Sequence, residues 1–190
     1  EYPDGEPKRL TKSEMGEHQP VWSPDGKHIY FVTWSLDGGH IHKARSNGRG
    51  NPQVLTQNTA YYRSLALSVD GSRLVAMRSS AQGFLEEVGG PFSGGPGTDL
   101  IWIPSYGGTV TVISPAERNG APHFRKDRPD RIYLTSGAEG LTSMRWDGTD
   151  IKSHVKVTGG TTPGSRQPQR ASVSMYAPEG DQALAQIRTD

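Results

Sequence analysis

The 190-residue sequence predicts an all-β fold: a partial β-propeller of about four blades, each a four-stranded antiparallel sheet. Three observations carry this. The segment Pro20-Val21-Trp22-Ser23-Pro24-Asp25-Gly26-Lys27-His28-Ile29-Tyr30-Phe31-Val32 returns in weaker copies: Leu65–Met77, Pro122–Leu134 and Tyr176–Ala185. Aligning Ile29, Leu74, Ile132 and Ala183 gives separations of 45, 58 and 51 residues. A period near ~40–50 residues with room for four strands suits a propeller blade. Finally, no useful window has apolar residues spaced i, i+3, i+4, i+7, so almost no helix is expected.

The first unit explains the rest. A short apolar strand ends at Trp22, and Ser23-Pro24-Asp25-Gly26 turns the chain. Proline presets φ for the first central turn position, aspartate bonds its own backbone, and glycine accepts positive φ. Lys27–Val32 reads as a mostly buried second strand. Asp37-Gly38-Gly39 signals a second turn, and His40–Arg45 alternates like a strand with one wetter face. Asn47-Gly48 is a hairpin turn, after which Gln53–Thr56 closes the unit as an outer strand.

The second unit follows with Asp99–Ile103, the turn Tyr106-Gly107-Gly108 and Thr109–Ile113. The third has Leu141–Trp146, Asp147-Gly148 and His154–Thr158. In the third and fourth copies the Pro-Asp-Gly turn is worn, which leaves their turn geometry open.

The expected organisation is an outer strand of a preceding blade (1–11), then blades at 17–56, 61–114 and 120–158, and an incomplete blade at 171–190. The second blade carries an insertion, 81–98. Propellers use roughly 4–8 blades. The sequence therefore predicts a piece of a larger ring, with open sheet edges that invite pairing.

Composition sets bounds. The 24 glycines and 14 prolines suit many short strands joined by tight turns. A net charge of +1 gives no electrostatic case for nucleic acid or an anionic membrane. No apolar run approaches the ~18 residues of a membrane span. With no cysteine, disulfides and thiolate metal sites are excluded, and both the cytoplasm and an exported location stay open.

The Trp22-Ser23-Pro24-Asp25-Gly26 unit with Ile29-Tyr30-Phe31 resembles the TolB-type, or PD40, propeller repeat, which also occurs in prolyl-oligopeptidase and tricorn-type propellers. Gly97–Pro104, Asp130–Leu134 and Gly140–Asp150 look like a narrower setting: the propeller preceding the metal-dependent amidohydrolase domain of large bacterial proteins. That resemblance implies a non-catalytic segment in an exported or periplasmic protein. Its partners would be the remaining blades and a separate catalytic domain. The alternatives are a TolB-type protein-binding propeller and the gating propeller of a serine peptidase.

The sequence assigns no catalytic, cofactor-binding or metal-ligating residue, but several candidates were weighed. His40-Ile41-His42 matches the His-x-His of amidohydrolases, yet it follows a turn rather than ending an apolar barrel strand. It supplies only two of the three or more ligands zinc takes, which favours a structural pair. The glycine-rich run Gly89–Gly97 opens no helix and lacks the Lys-Ser/Thr of a phosphate loop. It reads as a flexible lobe, or as a loop touching a catalytic domain through Phe84, Leu85 and Phe92. Asp25-Gly26 and Asp147–Asp150 read as turns rather than calcium loops. Glu86 and Glu87 are adjacent on extended chain and point to opposite faces. No Gly-x-Ser-x-Gly elbow occurs. Trp22, Trp34, Trp102 and Trp146 are expected to pack between blades. His18, His28 and His154 are assigned no chemistry, and His123 is placed near an inner strand.

Overall fold

The computed structural model describes residues 5–6, 9–80, 97–116, 120–136, 140–155 and 171–187, and these contain strands, turns and no helix. Blade 1 is β1 (Gly16–Trp22), β2 (His28–Trp34), β3 (Ile41–Arg45) and β4 (Gln53–Val54). Blade 2 is β5 (Tyr61–Leu67), β6 (Arg73–Ser79), β7 (Asp99–Pro104) and β8 (Thr111–Pro115). Blade 3 holds β9 (Arg131–Ser136), β10 (Gly140–Arg145) and β11 (Lys152–Val155), and blade 4 holds β12 (Ala171–Tyr176) and β13 (Ala183–Ile187). Every pair is antiparallel and joins strands consecutive in sequence.

The packing identifies a propeller rather than a sandwich. Along β6, Leu74 and Ala76 join a core with Tyr30, Val32 and Ile41 of blade 1. The intervening Val75 and Met77 join a second core with Ile132, Leu134 and Met144 of blade 3. Along β7, Ile101 and Ile103 face blade 1 while Leu100 faces blade 3. A strand alternates its side chains between two faces, so blade 2 is sandwiched and wet on neither face. Each buried aliphatic side chain contributes about 1.5–3 kcal/mol.

The turn after each inner strand repeats in atomic detail. Gly26, Gly71 and Gly180 donate their N–H groups to Ser23, Ser68 and Ala177 carbonyls at 2.9, 2.8 and 2.8 Å. All three glycines have positive φ (70°, 70° and 81°), a region that penalises any side chain. In the first two copies the serine hydroxyl donates to the aspartate two residues on, at 2.6 Å in both. The fourth copy thus keeps the turn without its Ser/Asp lock. In the third copy the Arg131 N–H donates to the Arg128 carbonyl at 3.3 Å instead.

A second repeat feature is a bulge in the inner strands, between His18 and Val21 and between Arg63 and Ala66. Gln19 and Ser64 occupy equivalent positions there, both at φ 53°. The Ser64 N–H, turned out of the ladder, donates to the Gln19 side-chain carbonyl at 2.6 Å, stapling blade 2 to blade 1. Farther out, Gly39 and Ala60 exchange backbone bonds of 2.9 and 3.1 Å. A Cβ on Gly39 would fall 1.6 Å from the Thr33 carbonyl oxygen of β2, so the close passage of residue 39 over β2 needs glycine.

Residues 9–11, expected as the outer strand of a preceding blade, belong to no sheet of blades 1–4. One expectation changes. The inner strand of blade 3 shrinks, among the described residues, to one bridge, His123 to Tyr133. Trp22 is 61% exposed. Its neighbour Val21 turns toward blade 2, so Trp22 faces the other side of blade 1, which no described sheet covers. The other three tryptophans pack at seams.

Candidate functional site

The His-x-His pair lies on β3 and the residue before it. Both imidazoles are half-buried, 6.3 Å apart and edge to face. Each commits a ring nitrogen to a threonine: His40 Nδ1 to Thr56 Oγ1 at 2.9 Å, and His42 Nε2 to Thr33 Oγ1 at 3.1 Å. The His42 ring stacks on Phe31 at 5.2 Å. Burial, then the neighbouring His40, pushes its pKa down, which favours the neutral ring. Among the described residues no group of three His, Cys, Asp or Glu side chains is placed to hold a metal ion.

His42 opens onto a cleft of about 530 Å³ on the uncovered face of blade 1, lined by Leu10, Thr11, Glu17, Phe31 and Val54. The Thr11 hydroxyl donates to one carboxylate oxygen of Glu17. The other, Glu17 Oε1, is buried without a partner. A buried acceptor left unpaired costs about 1–3 kcal/mol, more when charged.

The seam between blades 3 and 4 is polar and aromatic. Arg131 donates from Nε to Ser143 Oγ at 2.7 Å and from a terminal nitrogen to Asp150 at 2.7 Å. Ser143 Oγ lies 2.7 Å from His154 Nε2. This serine–histidine contact is no hydrolytic dyad: Ser143 is fully buried, and its oxygen already accepts from Arg131. Burial and the Arg131 charge lower the His154 pKa. His123 is bound here too, its Nε2 accepting the Tyr176 N–H at 3.0 Å. That fixes Nε2 as unprotonated, and burial lowers the pKa of the ring. The Arg125 guanidinium lies over the rings of Tyr133 and Tyr176, tying blade 4 to blade 3.

The remaining candidates resolve simply. Asp25 and Asp147 bond within their own turns. His18 stacks on Trp34 at 4.5 Å, and the His28 N–H donates to the Ser23 hydroxyl. Phe84, Leu85, Glu86, Glu87 and the run 89–96 lie outside the described residues. Glu17, the Ser143–His154 contact and the setting of Arg73 carry no motif; each arises from pairing register or from a seam between blades.

No protein-family model matches the chain, and no curated protein matches it in sequence. In three dimensions it matches TolB from Acinetobacter baumannii with a TM-score of 0.65 and 15% identity, over 95% of this chain and 40% of that one. It matches an oligogalacturonate lyase in complex with manganese with a TM-score of 0.65 and 14% identity, over 93% and 48%. The fold is that of a TolB-like β-propeller. A puromycin-hydrolysing peptidase of Mycobacterium tuberculosis is also similar, with a TM-score of 0.60 and 17% identity, over 82% of this chain and 25% of that one. The propeller spans less than half the length of each of these structures. At such identities the likeness is one of fold, and fold alone does not assign activity.

Proposed function

We propose that this TolB-like propeller is a non-catalytic segment whose blade 1 packs against a further blade, and which supports or limits access to a catalytic domain of the metal-dependent amidohydrolase type. The observation behind the packing is the uncovered face of blade 1. Trp22 stands exposed there, and Glu17 Oε1 is buried without a partner beside an open cleft. The equivalent faces of blades 2 and 3 are closed by neighbouring sheets. The amidohydrolase assignment rests on the resemblance of Gly97–Pro104, Asp130–Leu134 and Gly140–Asp150.

The test is the natural reading frame around these residues, together with an assay of the purified chain. The reading expects a His-x-His at the end of an apolar strand downstream, and no amide or ester hydrolysis by the 190 residues, with or without added zinc. A Gly-x-Ser-x-Gly downstream would replace it with a peptidase gating propeller, which the likeness to the mycobacterial peptidase favours. A frame that ends once a ring closes would replace it with a binding propeller. Turnover that survives stringent purification would overturn the non-catalytic role.

A further inference from the structure

Arg73 opens β6 at the seam between blades 2 and 3. Its guanidinium carbon lies 4.8 Å from the Trp102 ring centre and 4.9 Å from that of Trp146. The two indoles meet at 81° with centres 6.4 Å apart, so they form a corner with the guanidinium in it. Trp102 comes from β7 of blade 2 and Trp146 from the turn after β10 of blade 3. Phe124 stacks behind Trp146 at 5.4 Å and fixes that wall. A cleft of about 380 Å³ opens here, lined by Asp70, Ser72, Arg73, Pro129 and Trp146.

The molecule holds its own control. The equivalent residue of blade 3 is Arg131, whose guanidinium is spent on Asp150 and Ser143. Among the described residues, the Arg73 guanidinium meets two ring faces and neither a carboxylate nor a hydrogen-bond acceptor. Ring faces attract the cation but leave its in-plane N–H donors unused. Those donors form a planar fork that matches a carboxylate in bidentate fashion. Asp70 is engaged by Ser68 and Ser72 and remains an anion, so this lining carboxylate disfavours a doubly charged ligand such as phosphate.

We propose that the cleft at the seam of blades 2 and 3 binds a monoanionic carboxylate carried beside a flat apolar group, with Arg73 gripping the carboxylate and the flat group resting against Pro129 and the edge of Trp146. The ligand is a small aryl carboxylate or the C-terminus of a peptide ending in an aromatic residue. Both present the same chemistry.

The test titrates benzoate into the whole 190-residue chain and follows tryptophan fluorescence and calorimetric heat. Benzamide serves as the uncharged control. Saturable millimolar binding of benzoate, with benzamide at least about tenfold weaker, is expected, because hydrogen bonds to a charged group are worth that much or more. Arg73→Gln is expected to lose binding by a similar factor. Arg73→Lys, which keeps the charge without the fork, should lose severalfold. Arg73→Gln also removes the two ring contacts, so near-UV circular dichroism must match wild type. A competition needs no variant: acetate should displace benzoate, and acetamide should not. Equal binding of benzoate and benzamide, no saturation, or Arg73→Lys binding as well as wild type would each overturn the proposal. Peptides ending in phenylalanine, with free or amidated C-termini, then separate the two sources: tighter binding than benzoate by the free acid alone assigns a chain terminus.

Discussion

Adjacent residues Leu100 and Ile101 on β7 point to opposite faces, and both are fully buried. Replacing either with alanine removes the same number of carbons. At roughly 0.8 kcal/mol per methylene the transfer loss is about 2–3 kcal/mol. The residual cavity raises each total to about 3–4 kcal/mol, within the usual range of ~2–5. The two should also couple to different blades. Leu100→Ala with Ile132→Ala, in one core, should deviate from additivity by about 0.5–3 kcal/mol. Leu100→Ala with Val32→Ala, in separate cores, should add within about 0.5 kcal/mol. Urea unfolding followed by tryptophan fluorescence, with unchanged m-values, is the assay. If one substitution costs well under 1 kcal/mol while the other costs the full amount, β7 has a wet face. The stacked-blade reasoning then fails.

Other outcomes follow from the same structure. Gly71→Ala places a side chain at φ 70° and should cost about 1–2 kcal/mol, and Gly26→Ala about the same; a neutral melting temperature would contradict the turn geometry. The Ser68 hydroxyl and the N–H and hydroxyl of Ser72 hold the Asp70 carboxyl at about 2, below its usual 3.8. Because the folded value lies below the unfolded one, this contribution is complete above about pH 4 and fades as pH falls toward 2. Asp70→Asn should flatten that part of the acid unfolding curve; an unchanged curve refutes it. Wild type and His40→Ala should bind zinc equally weakly in a calorimetric titration, since both imidazoles are tied to threonines and no third ligand stands near among the described residues. Markedly tighter wild-type binding would restore the metal reading.

Much of the fold was legible because its signals are local. Ser-Pro-Asp-Gly fixes a turn by its own chemistry, and that turn sets the register of the hairpin it closes. Tyr176-Ala177-Pro178-Glu179-Gly180 keeps the same bonds although its sequence is worn, because proline and glycine carry the geometry. Pro122-His123-Phe124 looks extended in sequence, but among the described residues it keeps one bridge, to Tyr133. At Trp22 the strand pattern gives alternation but not which face has a neighbour among the described sheets. The Arg73 corner draws its walls from Trp102 and Trp146, 44 residues apart in sequence, and exists only once blades 2 and 3 stack.

The radial arrangement of the repeats is tested most directly by distances between spin labels. The chain has no cysteine, so labels go only where they are placed. Lys27, Ser72, Asp130 and Asp181 are equivalent in the four repeats, and all are exposed. Pairwise pulsed-resonance distances should give three similar neighbour steps and a Lys27-to-Asp181 distance clearly shorter than their sum, as for points on an arc. A first-to-last distance equal to that sum would describe a straight stack and contradict the propeller.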